Sequence, residues 1–545
     1  LIKKIKIDHA LNDVQAKLVL SRNFSKEEIF LIGNKISLNN PFSNTKDFLS
    51  GIKLLQNSII NNEKILIIGD YDVDGCVSTS LMVNFLKKNN VKLNYYIPDR
   101  FKDGYGASEK LIDKLTKKFN PNLVIFLDCG SNSYEALTHL NLKSIKSIII
   151  DHHNTQKPYP PCNVFINPKK NEDYKKFNYF CTASLTYWFI DLFIKSYKFH
   201  NPLKDLQIFV LLAVIADVMP MKGLNKIFAK YVIENFDINK SPIIKYIFKL
   251  FKVKKKLEID DLGFKIAPLF NSAGRLENAN QIVELLTTNS EELIIKIINR
   301  INKLNEKRKF LEKIILDELK IKSIERKKGV IIIYSKFIHE GIIGIIASRI
   351  KDYFNKPCII LTKSGNVIKG SARSLDNFNL GNYINEAVKK KILLSGGGHN
   401  LAAGLSLTEN NIGLFKKFIN SFFNDKYASK FIYDSVVSLD AINNDFIRSI
   451  ELLGPYGSKN PNPLFLLQDV KIIKLKNIKN NFFSCFVSKN KKIIKATSFH
   501  NINSNLSYEL QNSNKTFDIV AKIKQNKWNN KNTLEIEIID LIKVI

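Results

Sequence analysis

Short apolar runs rich in β-branched residues alternate with helical periodicity along the N-terminal half of the chain. Ile65-Leu-Ile-Ile68 stops at Gly69 and leads into Asp70-Tyr-Asp72-Val-Asp74-Gly75. Further runs lie at 91–97, 123–127 and 147–150, and the last two end on Asp128 and on Asp151-His152-His153. Between them, residues 76–90 and 107–119 carry apolar positions at helical spacing. This order predicts βαβ units, hence a parallel sheet covered by helices. In such sheets the functional crevice lies at the carboxyl ends of the strands, so clusters far apart in sequence can converge there. Residues 206–216 read as an apolar helix ending at a lone Asp217. A carboxylate after so apolar a run is costly unless paired or bound to a cation.

The acids after Gly69 do not suit a straight strand. Alternation would set Asp70, Asp72 and Asp74 on one side. At about 3.3 Å per residue, however, the outer two would be roughly 13 Å apart, far beyond the about 3.5–4 Å spacing of a paired-metal site. The backbone is expected to curl here, with Gly69 and Gly75 giving it the freedom to do so. Three carboxylates this close repel unless cations hold them. Alone, the stretch reads equally well as an acidic surface turn; the acids and imidazoles downstream favour the metal reading.

Downstream of Asp217 the pattern predicts a second unit. Residues 261–276 read as a glycine-bearing polar turn holding Asn271 and Arg275, the latter a candidate bidentate phosphate clamp. From Ser290, an N-cap followed by Glu291 and Glu292, to about residue 322 there is neither Gly nor Pro. That predicts a long helix bridging two lobes. Strands at 329–334 and 358–361 open a second α/β lobe. It carries three glycine loops with polar side chains: His339–Arg349, Gly370-Ser371-Ala-Arg373, and Gly396-Gly397-Gly398-His399. Loops of this kind let backbone N–H groups approach a phosphate. The Gly/Pro/Asn-rich segment 453–463 reads as a domain boundary. Five β-like runs follow (464–475, 482–487, 492–499, 517–524, 533–542), interleaved with lysines and with Phe482, Phe483, Phe499 and Trp528. They predict a barrel of the oligonucleotide-binding (OB) type, which holds single strands by stacking and charge; Phe482 and Phe499 are expected to serve its core. The resulting division is a helical lead-in at 1–60, a catalytic domain at 61–285, a connecting helix at 286–325, a nucleotide-binding lobe at 326–430, and a linker with the β-domain at 431–545.

Composition adjusts this picture modestly. The chain has 545 residues, 45% hydrophobic and 25% charged, with a net charge of +32, which favours a polyanionic partner, nucleic acid first. Its six cysteines lack CxxC spacing, so a disulfide framework or zinc site is not expected. No apolar run reaches the ~18 residues of a membrane span, and the opening segment has no apolar h-region. A cytoplasmic monomer without membrane association is expected. Oxygen-rich ligands with one or two imidazoles suit Mn²⁺ or Mg²⁺, and a pair of such ions bridging these residues lowers the pKa of a water for in-line attack on phosphorus.

In order, Gly-Asp70-Tyr-Asp72-Val-Asp74-Gly, Asp128-Cys-Gly, Asp151-His-His153 and Ala216-Asp217 resemble the four motifs of the DHH phosphoesterases. The resemblance implies metal ligation by Asp70, Asp72, Asp74, Asp128, His152 and Asp217, with His153 near the scissile phosphate. Ile266-Ala-Pro with Ala273-Gly-Arg275, and His339-Glu-Gly-Ile-Ile-Gly-Ile345, narrow the likeness to the RecJ exonuclease family, over nearly the whole chain. That implies two-metal, 5′→3′ digestion of single-stranded DNA to mononucleotides in repair and recombination, beside a helicase and a single-strand-binding protein. DNA or phosphate contacts are expected from Arg100 and Tyr105 in the loop after the second strand, and from Asn271, Arg275, Arg349, Ser371, Arg373, Gly397, Gly398 and His399. The chain departs from the family at Leu269, where an arginine is expected, and at Thr182-Ala-Ser184, where a glycine-rich turn is expected. The alternatives are an oligoribonuclease or nucleotide phosphatase of the same superfamily, against which the C-terminal β-domain argues, and a non-catalytic DNA-binding scaffold, against which the full ligand set argues.

Overall fold

The computed structural model describes residues 2–34, 36–104, 106–170, 176–253, 256–319, 329–375, 378–423, 433–478, 482–498, 515–528 and 531–544. Its first sheet is parallel throughout, in the order β2-β1-β3-β4-β5, built from β1 Ile65–Ile68, β2 Leu93–Tyr96, β3 Leu123–Leu127, β4 Lys146–Ile150 and β5 Val164–Ile166. β1 and β3 are wholly buried, as the unbroken apolar runs require of strands covered on both faces. Helices Lys46–Ile60, Val73–Lys88 and Thr182–Tyr197 cover one face with a large aromatic core that includes Phe42, Phe48, Phe85 and Phe193. Helices Glu109–Phe119 and Tyr134–Leu142 cover the other.

The three N-terminal acids are gathered by a helix and not by a curled strand. β1 ends at Ile68, Asp70 lies in the following loop, and Asp72 caps helix Val73–Lys88 by accepting from the Gly75 N–H at 3.0 Å. A helical rise of about 1.5 Å per residue brings these side chains far closer than extended backbone would. Gly75 is needed for close approach: a Cβ there would stand 2.5–2.7 Å from the Asp70 backbone.

The glycine-bearing stretch at 261–276 is helical too. A π-helical turn, Leu262–Ile266, runs straight into helix Ala267–Leu276 and puts Arg275 in its last turn. Leu269 is fully buried in the core, so that position packs the domain.

The connecting helix spans Glu291–Glu318, with Ser290 as its N-cap; residues 320–322 of the expected span lie outside the described residues. The second sheet has the order β6-β7-β8-β10-β9, with β6 Ile331–Tyr334, β7 Cys358–Ser364, β8 Val367–Arg373, β9 Ser395–Gly398 and β10 Ala402–Leu407. Only β6–β7 is parallel. Two of the expected glycine loops are therefore strands: Gly370–Arg373 belongs to β8, and Gly396–His399 forms β9 and its turn into β10.

The C-terminal runs form β12 Phe465–Ile478, β13 Phe482–Lys489, β14 Lys492–Ser498, β15 Thr516–Trp528 and β16 Lys531–Val544. They pair in the order β12-β13-β14-β16-β15, and β12–β15 pairing closes the barrel, with β11 Ser435–Val436 added beside β12. Phe483 is core; Phe499 and the side chains of Phe482 and Trp528 lie outside the described residues.

The first thirty residues do not lead into the first strand. Leu11, Ala16, Leu18, Val19 and Phe24 share one apolar core with the barrel residues Phe465, Val487 and Ile519. Arg22 seals the contact with hydrogen bonds to Asp434, Asn460 and the Pro461 carbonyl. The N-terminal helices also touch the first domain, where Lys222 and Lys230 donate to the carbonyls of Arg22 and Leu31.

Candidate metal centre and phosphate site

The loops after β1, β3 and β4 and the end of helix Leu203–Ala216 deliver the acids and imidazoles to one place. Asp128 follows β3 in the left-handed region (φ 64°) and is held there by its N–H to the Ile150 carbonyl, with Gly130 continuing the tight turn at φ 105°. A non-glycine residue in that region is strained; here the strain turns the carboxylate toward the neighbouring acids. His152 Nε2 stands 3.4 Å from Asp217 Oδ2, 3.5 Å from Asp128 Oδ1 and 3.8 Å from Asp74 Oδ2. Ligand atoms of Asp70, Asp72 and Asp128, of Asp74, His152 and Asp217, and of Asp128, His152 and His153 each lie within 4.8 Å of one another.

This concentration of buried acid is electrostatically unfavourable by itself. Burial, then the Asp72 charge, pushes Asp70 well above the usual carboxylate range and Asp74 up to about 6. Burial, then neighbouring acids, does the same to Asp128 and Asp217. Burial, then His153, drives His152 down to about 3, so it is a neutral imidazole, the form that ligates metals. Among the described residues Asp70 Oδ1, Asp217 Oδ2 and His152 Nδ1 are buried without a hydrogen-bond partner. Hard oxygen donors, one neutral imidazole and orphaned lone pairs fit Mn²⁺ or Mg²⁺.

Asp151 has a different job. Its carboxylate accepts from the N–H groups of Ser131, His152 and His153 and from His153 Nδ1 at 2.8 Å. Burial opposes its ionisation, yet the His153 bond and charge hold it below the ordinary carboxylate range. His153 rises to about 9, because the Asp151 bond outweighs burial. The DHH tripeptide thus supplies a neutral ligand-type imidazole and, beside it, a charged one.

Sequence reasoning missed the segment that holds two of the acids. At the start of helix Thr182–Tyr197 the N–H groups of Thr182 and Ala183 donate to the two Asp74 oxygens, both at 2.8 Å, and Thr182 Oγ1 donates to Asp128 Oδ1 at 2.9 Å. A glycine-rich turn could supply the backbone donors, whereas the hydroxyl is particular to Thr182. An uncapped helix start is a natural anion seat; Cys181 at the N-cap makes no side-chain cap bond, and the departure at Thr182-Ala-Ser184 marks this segment in the sequence without revealing what its donors hold.

Beside the acids lies a cluster of arginines. Arg275 Nη1 donates to the Gly341 carbonyl, Arg373 Nη1 donates to Ser371 Oγ and the Ala372 carbonyl, and Arg100 lies over the Tyr71 ring. None of the three pairs with a carboxylate among the described residues. Burial, then Arg100 and Arg373, lowers Arg275 to about 10. Mutually repelling guanidinium groups without a carboxylate have the charge and geometry that suit an anion. Glycines set its walls: a Cβ on Gly274 would reach 2.2 Å from the Tyr71 carbonyl, and one on Gly341 2.0 Å from that of Arg275. Asn271 and Arg275 line a cavity of about 830 Å³ that continues past Arg308 to Lys522 and Lys524 of the barrel. Asn154 Nδ2 meets His399 Nδ1 at 3.2 Å, joining the turn after Gly397 and Gly398 to the loop after β4.

Arg349 is not brought to this cluster. Its Nε donates to Glu312 at 2.8 Å, and Glu312 also takes Arg308, so its charge serves to dock helix Ile343–Phe354 on the connecting helix. Tyr105 lies outside the described residues.

Fold and site together define a DHH-type phosphoesterase architecture, and comparison with known proteins agrees. The DHH family N-terminal domain matches residues 64–214, the DHHA1 domain residues 327–425 and the RecJ OB domain residues 433–540. The chain thus carries a DHH domain, a DHHA1 domain and a RecJ OB domain in that order, the set on which it is similar to RecJ. The single-stranded-DNA-specific exonuclease RecJ of Bacillus subtilis is 28% identical over 499 residues, 88% of this chain and 61% of that protein. The RecJ of Haemophilus influenzae is 27% identical over 515 residues, 89% of this chain and 88% of that protein. The chain therefore spans about three fifths of the Bacillus relative's length. Among solved structures, RecJ in complex with Mn²⁺ from Thermus thermophilus superposes with a TM-score of 0.85 at 21% identity, covering 99% of this chain and 78% of that one. The exonuclease RecJ bound to manganese gives 0.60 at 25% identity, covering 70% and 96%.

Proposed function

We propose that this protein is a metal-dependent exonuclease that hydrolyses single-stranded DNA to mononucleotides. One observation carries the reading: acids gathered around His152 in groups that could hold divalent ions, with Arg275 beside them lining a cavity that reaches an OB-type barrel. Asp70, Asp72 and Asp128 form one ligand group and Asp74, His152 and Asp217 another, with a third, Asp128, His152 and His153, overlapping both. The two divalent ions they suit would supply Lewis-acid activation of water and charge neutralisation at phosphorus. The remaining work belongs to the chain. Thr182 and Ala183 fix the Asp74 and Asp128 carboxylates. Asp151 holds His153 charged, so that it faces the scissile phosphate as a cation. Arg275, Arg373 with Ser371, and Arg100 seat the terminal phosphate, while Asn271 and the barrel lysines guide the strand. Gly397, Gly398 and His399 close the site from the second lobe.

Degradation runs 5′→3′ by family likeness, and the working context is DNA repair and recombination, as a cytoplasmic monomer cooperating with a helicase and a single-strand-binding protein. No helix among the described residues is long and apolar enough to cross a membrane. The test is digestion of 5′-labelled single-stranded DNA, duplex DNA and short RNA with Mn²⁺ and with EDTA. Early release of labelled mononucleotide from single-stranded DNA alone, abolished by EDTA, is expected. A preference for RNA of two to five nucleotides, or binding without cleavage, overturns the reading.

A further inference from the structure

Beyond the metal-ligand cluster lies a polar pocket that the reaction above does not use. It holds about 690 Å³ and is walled by the loops that follow β3, β4 and β5: Ser131, Asn132 and Tyr134 from the first, Asn154 and Thr155 from the second, Lys169 from the third. The volume suits a nucleotide. These loops are tied to one another and to the site. Asn167 Nδ2 donates to Ser131 Oγ and to the His153 carbonyl, Thr155 Oγ1 donates to the Ser131 carbonyl, and Asn132 Nδ2 to the Asn154 carbonyl. Asn154, on the pocket wall, follows His153 and meets His399.

Lys169 is half-buried, and among the described residues its ammonium makes no ion pair or hydrogen bond. Its charge is nonetheless felt by His152, His399 and Asp217, which puts it within electrostatic reach of the metal-ligand cluster. A cation held partly out of water, with no direct partner among the described residues, suits an anion. The pocket shares no lining residue with the cavity leading to the barrel. That cavity offers Arg275, Arg308, Lys522 and Lys524, suited to a run of phosphates; among the described residues this pocket has one basic side chain, suited to one phosphate. Tyr134 on its rim is 46% exposed and gives a base a ring to stack on.

We propose that this pocket is an exit subsite for the released nucleoside 5′-monophosphate, with Lys169 taking its phosphate and Tyr134 facing its base. The inference rests on the exonuclease reading but is tested apart from it. Binding of deoxythymidine 5′-monophosphate is measured by equilibrium dialysis in EDTA, where no divalent ion contributes. The protein is expected to bind it, Lys169→Met to weaken binding about ten-fold, the scale of one charge-assisted hydrogen bond, and Lys169→Arg to restore it. Tyr134→Ala is expected to weaken it less. Unchanged thermal midpoints establish that the variants are folded. Absence of binding to the unaltered protein, or affinity unchanged in Lys169→Met but lost in Arg373→Ala, overturns the subsite. If single-stranded DNA is digested while Lys169→Met binds normally, the subsite alone falls; if no substrate is digested, the exonuclease reading falls.

Discussion

At the scale of single residues, the site is governed by which charges are satisfied and which are not. Asp151 and Arg349 have their partners within the chain; among the described residues Asp70 Oδ1, Asp217 Oδ2 and His152 Nδ1 have no hydrogen-bond partner, and Arg100, Arg275 and Arg373 have no carboxylate. Removing a ligand-type acid should therefore stop chemistry and leave the arginines and barrel to hold DNA. Asp128→Ala is expected to abolish cleavage while retaining most single-strand affinity, measured by anisotropy beside a nuclease assay; cleavage that persists would show Asp128 is not a ligand. Thr182→Val removes the hydroxyl bond to Asp128 but keeps the backbone N–H bonds to Asp74, a change of second-layer support worth about 10- to 100-fold in metal affinity, readable by Mn²⁺ titration calorimetry. Gly274→Ala drives a Cβ into the Tyr71 carbonyl. Backbone cannot step aside as a side chain can, so a loss of about 1–3 kcal/mol in urea stability is expected, with activity falling as Arg275 shifts.

At the scale of elements, helix starts do what the sequence suggested a curled strand would do. Asp72 and Asp74 open one helix, the Thr182–Ala183 N–H groups open the next, and the two ends meet. The docking of the N-terminal helices likewise turns on a buried charge with few partners. Lys226, on helix Gly223–Asn235, is buried over the Phe24 ring, 4.0 Å from the Glu28 carboxylate on helix Lys26–Phe30. Burial, against the pull of Glu28 and with Arg22, Lys222 and Lys230 nearby, lowers it to about 7. An unfolded lysine keeps its proton to about pH 10.4, so between about pH 7 and pH 10 the unfolded chain binds more protons and stability rises with pH. Lys226→Met should flatten that rise, as seen in thermal midpoints across this range.

At the scale of the whole molecule, the barrel and the catalytic sheet are held together by the chain's two ends. The N-terminal helices share the barrel's core, and Arg22 pairs with Asp434. The barrel thereby presents Lys522 and Lys524 to the cavity that begins at Arg275, with Glu537 bonded to the second and near the first. Glu537→Gln should free both lysines and tighten single-strand binding. Lys522→Ala with Lys524→Ala should weaken it and lower the salt dependence by about 0.7 for each phosphate no longer neutralised, measured as the slope of log affinity against log salt.

The sequence by itself determined the alternation of strands and helices, the parallel first sheet, the five-stranded barrel and the acids and imidazoles that gather at one sheet edge, because strand ends carry their residues to the same side whatever the loops do. It could not reveal that Thr182 holds Asp128, that Arg349 is committed to Glu312, that Leu269 is core, or that the first thirty residues belong with the barrel. Those outcomes depend on which surfaces remain unburied once the domains have formed, and on which buried charge finds a partner first. Periodicity records the face a residue presents, but the neighbour across that face is chosen by packing among segments hundreds of residues apart.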